Sequence, residues 1–506
     1  MACFDSILHS HAGEGVRAPA DCLADLHLDD IITAVTAGND ELTDYFSAWA
    51  LNVDEVAYRH QVFRDLSVPD IRRLIQAFVD DLSEMRRQLR QSAILMHPLQ
   101  RHGWQLHAMD TYRCAVIRLD EELAGAKIRS RGLQRLREYL HNYRHGDQFG
   151  QFVTDTADMY AEITSIRYSV HINGLHVDVD RYHDEPDYSA EVTELFDRFR
   201  RSGGRDYRVR IPEYTDMNHV EEQILDRVAI QHAEPFSRLA AYCRRYATFL
   251  DDTLDLFSRE IRFYLSYLAF MDRLAPVGVP FCYPVMSERF TGVHAEESYD
   301  LALAVKHIDD RNTPVCNSFQ LADHERILIV TGPNQGGKTT FARVAGQLTY
   351  LAALGCPIPA ASAALTLPDR IFTHFERQES VASLHGKLDD ELVRIHDILA
   401  QATDRSLIVM NESFSSTALA DAIQISTDVL QRIIDIGCVA VYVSFLDELT
   451  RIHPACVSMV GGVDPSDPSV RTFHFTRRPA DGLAYASALA EKYRLNPQTL
   501  SRRVAR

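Results

Sequence analysis

The sequence predicts a mainly α-helical half followed by an α/β half built on a mostly parallel sheet. Residues up to about 275 hold long runs whose apolar side chains recur with a 3.6-residue rhythm. From about 280 the texture changes to short β-rich strands, "RILIVTG", "SLIVMNE" and "CVAVYVS", bounded by turns or followed by helices. Buried strands of this kind imply a sheet covered by helices on both faces. The stretch "APVGVPFCYP" marks a boundary near 275–295, which divides the chain into domains 1–280 and 281–506. A chain of 506 residues has room for two to four domains with substantial cores.

In the helical half, "SVPDIRRLIQAFVDDLSEMRRQLRQSAIL" places Ile71, Leu74, Ile75, Phe78, Val79 and Leu82 on one face. Pro69 and Asp70 suit its first turn. A second helical tract covers 218–275, with one break expected near Pro235. Such lengths suggest levers or bundles. Between the two, "SIRYSVHINGLHVDVDRY" alternates apolar and polar residues around Asn173-Gly174, which signals a β-hairpin. The polar stretch that follows predicts a loop or small clamp-like insertion over about 160–217.

Composition excludes several classes. The chain is 46% hydrophobic and 25% charged, ordinary for a globular protein. No run of about 18 apolar residues occurs, so no membrane span is expected. The start, "MACFDSILHSHAGEG", lacks the layout of a secretion signal. Nine cysteines without a CxxC pair read as reduced core thiols of a cytoplasmic protein. Net charge is −18, and residues 301–506 hold 22 acidic against 20 basic side chains. The first 300 therefore carry 49 acidic and 33 basic groups, a balance of −16. A generic nucleic-acid binder is basic on its binding face, so any DNA contact must be local.

"GPNQGGKT", Gly332 to Thr339, fits G-x-x-x-x-G-K-[ST] between the strand "ILIV" and the helix "FARVAGQLTYLAAL". Glycines let backbone N–H groups approach phosphate, and the helix directs its positive end at the same anion. Gly332, Pro333, Asn334, Gln335, Gly336, Gly337, Lys338, Thr339 and Thr340 form this candidate ATP site. Lys338 suits the β- and γ-phosphates, and Thr339 suits Mg²⁺. The strand "RSLIVMNESFSST" ends in Asn411 and Glu412. P-loop ATPases carry there an acidic residue that holds Mg²⁺ through water, then a glutamate that orients water. Asn411 retains an acceptor for metal-bound water but lacks the carboxylate charge. Glu412 is the candidate base.

From Val315 onward the chain resembles the MutS family of DNA mismatch-repair ATPases. The carrying segments are "TGPNQGGKTT", "LTYLAALGCPIPA", "LPDRIFTHFERQESVAS", "LIVMNE" and "DGLAYASALAEKYRLNPQTLSRRV". The resemblance implies an ABC-like P-loop ATPase domain in a homodimer with shared ATP and Mg²⁺ sites, joined by helices near the C-terminus. It places "SVASLHGKLDDEL" at the loop that faces the partner's γ-phosphate, with Ser383, Gly386 and Lys387 as its candidates; Gly386 and Lys387 stand where the family usually has serine. Asn411 replaces an aspartate, and Phe445 in "VYVSFLDEL" stands where the family carries a histidine. Both changes imply slow hydrolysis. More weakly, "LTDYFSAWALNVDEVAYRHQVFRDL" resembles the opening of the family's core domain.

Mismatch recognition in the family uses a Phe-x-Glu motif, and none occurs in the 506 residues. The expectation is therefore levers plus ATPase without a mismatch reader. A DNA-associated clamp would use arginines near the lever ends, Arg200, Arg201, Arg205, Arg208 and Arg210. The alternatives are an ATP-dependent switch that binds a protein partner, favoured by the acidic levers, and a nearly inactive ATP-binding scaffold, favoured by Asn411 and Phe445.

Overall fold

The computed structural model describes residues 4–10, 16–17, 19–50, 52–174, 176–184, 217–308, 310, 312–376, 386–415, 417–467 and 470–480. Ser383, the five arginines between 200 and 210 and the terminal stretch 481–506 lie outside the described residues. Two compact units emerge. One comprises Met1–Phe4, Asp70–Lys127 and Arg135–Arg259; the other comprises Asp5–Pro69, Ile128–Gln134 and Glu260–Arg506. This division differs from a single cut at 280, because much of the chain before Pro69 clusters with the C-terminal half.

The first unit is helical. Its main helices are Pro69–Ile94, Pro98–Gly125, Asp147–Thr164, His219–Gln231 and Ala233–Arg245. An aromatic cluster of Tyr112, Phe149, Phe152 and Phe249 fills its centre. Tyr112 and Tyr143 share a hydroxyl contact of 3.0 Å, and Tyr139 donates to Asp251 at 2.8 Å. The tract 218–275 is three helices, the last being Asp252–Leu274, so the expectation of one break is corrected. The first break falls at His232, and Pro235 sits in the first turn of the next helix, where no N–H is needed. The second spans Tyr246–Asp251, and Asp251 then accepts the N–H of Leu254 at 2.9 Å. The hairpin is present as Tyr168–Asn173 against His176–Arg181. Asn173 pairs with His176, so the turn begins at Gly174 (φ 64°), one residue later than the Asn-Gly pair suggests.

The second unit is α/β. Its six-stranded sheet runs in the order Ile371–Phe375, Leu407–Asn411, Val439–Val443, Ile327–Thr331, Cys456–Val463, Arg471–Arg477. All neighbours are parallel except the last pair, as the apolar strands predict. Alternation sorts the side chains. Ile327, Ile329, Ile408, Met410, Ala440 and Tyr442 pack with Val429, Leu430 and Ile433 of the helix Leu419–Ile436. A second sheet joins Val285–Ser287, Ser362–Thr366, Val293–Ser298 and Asn317–Leu321, in that order.

The early segments attach to this unit through specific polar contacts. Trp49 donates to the Pro368 carbonyl at 3.2 Å, Tyr350 to that of Phe46 at 2.6 Å, and Thr373 to the Asp25 carboxylate at 2.7 Å. Arg59, on the helix Val53–Leu66, is buried; its guanidinium donates to Leu8 O at 3.0 Å and Leu354 O at 2.9 Å. Among the described cysteines Cys22, Cys243, Cys356, Cys438 and Cys456 are buried and Cys114 is exposed; all eight described are free thiols. No described helix is long and apolar enough to cross a membrane.

Arg59→Ala removes the donors that hold both carbonyls. At about 1–3 kcal/mol for each buried polar group left unpaired, the loss is about 2–6 kcal/mol. Urea denaturation should show a clearly lower midpoint, and a wild-type midpoint would show that water replaces the guanidinium.

Candidate nucleotide site

Parallel strands in register end together. Phe375 pairs with Asn411, Asn411 with Val443, and Val443 with Val330. The chain leaving these four strand ends therefore converges on one edge, the place where open α/β sheets bind ligands. Four segments meet there: the glycine-rich turn after Thr331, the Asn411-Glu412 pair, Phe445 after Val443, and Phe473 on the neighbouring strand.

The turn is fixed by backbone constraints. Gly332 has φ 130°, and a Cβ there would lie 2.9 Å from the Gly461 nitrogen. Gly337 has φ 86° and caps the helix Lys338–Ala353. Gln335, between them, takes φ 58° without being glycine. Lys338 is buried; its Nζ donates to Gly332 O, Pro333 O and Asn334 Oδ1, each at 3.3 Å. It also lies 4.0 Å from Glu412 Oε1 and 4.7 Å from the centre of the Phe445 ring. Burial lowers the Lys338 pKa; Glu412 opposes this and Arg471 adds to it.

Thr339 Oγ1 donates to Asn411 Oδ1 at 2.9 Å, which joins the turn to the end of the central strand. Glu412 donates its N–H to Val443 O at 3.0 Å and has φ 53°; Phe414 follows with φ 64°. Burial raises the Glu412 carboxyl pKa, and the Lys338 charge pulls against that. A cavity of about 690 Å³ lies here, lined among others by Asn334, Gln335, Gly337, Lys338, Thr339, Thr340, Glu412 and Phe445. That volume suits a small organic ligand.

The other predicted residues take supporting places. Gly332 and Pro333 offer their carbonyls to Lys338, and Gly336 closes the turn by donating its N–H to Pro333 O at 3.1 Å. Gly386 is the exposed N-cap, and Lys387 the first residue, of the helix Lys387–Gln401.

Residues 328–472 match the family model of MutS domain V. Over this region the chain is similar to the MutS family. Relatives named DNA mismatch repair protein MutS are 33% identical over 171 residues in Psychrobacter cryohalolentis and 29% identical over 176 residues in Thermotoga neapolitana. A DNA mismatch repair protein MutS 2 of Halobacterium salinarum is 34% identical over 180 residues. These matches cover 34%, 35% and 35% of this chain but only 16%, 22% and 21% of the respective relatives. The MutS-like region thus contains the turn, the Asn411-Glu412 pair and Phe445.

The cavity has a second wall that sequence reasoning missed. Phe473 has φ 59° and is half exposed on it, and Asp300 and His307 reach it from another part of the chain. Asn317 ties this wall together, donating to Phe473 O at 3.1 Å and accepting from the Phe475 N–H at 2.7 Å. The only local signal is the aromatic alternation of "TFHFT", which reads as an ordinary strand. Glu391 was also missed. It is buried on the helix Lys387–Gln401 and accepts the N–H of buried Phe414 at 2.8 Å. It therefore fixes the left-handed loop that carries Glu412.

Glu391→Ala should orphan the Phe414 N–H and cost about 1–3 kcal/mol. Glu391→Gln keeps an acceptor oxygen and should recover most of that stability. Thermal unfolding of the two variants checks this, and equal losses would show that charge, not the accepted hydrogen bond, is what matters.

Proposed function

We propose that this chain is a slow MutS-type ATPase whose nucleotide state changes its grip on DNA, acting in DNA repair or recombination as a homodimer with shared ATP sites. The observation that carries the reading is the meeting of Lys338, Thr339 and Glu412 at one cavity, with Asn411 bonded to Thr339, within a MutS domain V match. The relatives' printed names supply the mismatch-repair context. An ABC-like P-loop fold suits the mostly parallel sheet with its glycine-rich turn at a strand end.

The chain's own groups define the chemistry. Lys338 exchanges three 3.3 Å contacts to neutral oxygens for the stronger charge-assisted bonds of the β- and γ-phosphates. The backbone N–H groups of Gly337, Lys338 and Thr339 open the helix and face the same anion. Thr339 Oγ1 and Asn411 Oδ1, 2.9 Å apart, are an all-oxygen pair that fits Mg²⁺, with Asn411 acting through water. Mg²⁺, when bound, neutralises charge on the β- and γ-phosphate oxygens. Glu412, held by Val443 and by the Glu391-braced loop, orients the attacking water and receives its proton. Asn411 leaves the metal position without a carboxylate, and the Phe445 ring offers Lys338 only a weak cation–π contact. Both favour binding over turnover. Ser383, Gly386 and Lys387 meet the partner's γ-phosphate, and residues 480–506 join the dimer.

Lys338→Ala should abolish ATP binding. Glu412→Gln should retain binding while slowing hydrolysis by about 10²- to 10⁴-fold. The raised Glu412 pKa has a definite sign: the base is the carboxylate, so hydrolysis fades as pH falls through the raised value, earlier than for an exposed glutamate. Nucleotide-binding and single-turnover assays over pH separate these roles. Equal loss of affinity in both variants contradicts them.

The DNA reading is tested by titrating labelled matched, mismatched and branched duplexes with and without a non-hydrolysable ATP analogue. Phosphate contacts alone predict modest affinity that falls steeply between about 50 and 200 mM salt, with no mismatch preference. The acidic balance of −16 in the first 300 residues favours a second reading, a switch that binds a protein partner. Absence of binding to all three duplexes selects that reading.

A further inference from the structure

We propose that Asp120, His141 and His145 form a binding site for a Zn²⁺-class transition-metal ion that clasps two helices of the first unit. The three residues each offer one ligand atom, and these atoms lie within 4.8 Å of one another. His141 and His145 stand four apart at the end of the helix Arg131–Arg144, so their rings lie on one face, with centroids 4.2 Å apart. Asp120 comes from the helix Pro98–Gly125, and its Oδ1 is 3.7 Å from His141 Nδ1. Two atoms bound to one metal at about 2.0–2.2 Å stand roughly 3.0–3.4 Å apart, so small rotations of the histidine rings close the set.

The surroundings prepare the ligands. The Asp120 side chain is 5% exposed, and Arg144 donates to its other oxygen, Oδ2, at 2.8 Å. Arg144 also holds Glu121 at 2.8 Å. The guanidinium thus fixes the carboxylate and leaves Oδ1 directed at His141, as outer partners of metal ligands do. His145 Nδ1 lies 2.9 Å from the His141 carbonyl. That carbonyl can only accept, so Nδ1 carries the proton and Nε2 keeps its lone pair for a metal. The His141 ring is 62% exposed, which leaves an entry path and space for water ligands. Two imidazoles and one carboxylate select Zn²⁺, Co²⁺ or Ni²⁺ over Mg²⁺ and Ca²⁺, which prefer oxygen. The site belongs to the first unit and does not depend on ATP chemistry.

The test is calorimetric titration of Zn²⁺ into the chelator-treated full-length protein without nucleotide, with Co²⁺ absorption as a second readout of nitrogen ligation. His141→Ala and His145→Ala are surface changes that should fold normally. Each is expected to weaken one Zn²⁺ equivalent at least tenfold, and the double variant should lose it. Wild type should also unfold at a higher temperature with Zn²⁺ than with Mg²⁺, a shift the double variant lacks. Equal Zn²⁺ binding by wild type and the double variant overturns the proposal, as does no binding by wild type.

Discussion

The second unit depends on the burial of the helix Lys338–Ala353. Thirteen of its sixteen residues are buried, so it cannot shift or rotate without opening packed contacts along its length. Its polar side chains are also committed. Gln347 donates to the Leu26 carbonyl and to Asp300, both at 3.0 Å, and accepts the N–H of Leu301 at 2.9 Å. At its far end Arg59 holds the Leu354 carbonyl, and Gly355 takes φ 73° against the arginine's side chain. The same rigid body presents Gly337, Lys338 and Thr339 at its near end. The placement of these three residues is thus set by packing up to a full helix length away.

This arrangement ties the glycine-rich turn to the early segments of the chain. Lys338 and Thr339 open the helix, and Arg59, Phe46 and Leu26 contact the same helix or its immediate end. A displacement of the helix must therefore be shared with Val53–Leu66, because the hydrogen bonds that join them are buried and costly to break. The link between this helix and the early segments runs through side-chain-to-backbone hydrogen bonds.

Single side chains set the electrostatics of the site. Asn411 preserves the contact to Thr339 because an amide oxygen accepts as a carboxylate does, but it contributes no charge. Phe445 presents a ring face to Lys338, with the centroid 4.7 Å from Nζ. The scaffold around both is intact: the strand ends remain in register and the Glu412 loop remains braced.

What the sequence determined by itself was local. The glycines at 332 and 337 were legible because positive φ and close backbone approach are properties of single residues. The parallel strands were legible because burial on both faces imposes continuous apolar runs. Lys338, Thr339, Asn411 and Glu412 followed from spacing within one motif and from one strand end. The helix break at His232 and the hairpin turn at Gly174 differed from expectation by a few residues, since capping and register are decided by neighbouring contacts. Tertiary structure alone decided the rest. Periodicity marks which face of Val53–Leu66 is apolar but not that Arg59 meets Leu354, 295 residues away. Nothing near Glu391 announces that Phe414 donates to it, and nothing near Asp120 announces His141 and His145. Such pairs are formed by folding segments distant in sequence onto one another, and a side chain's partner across that distance leaves no mark on the residues beside it.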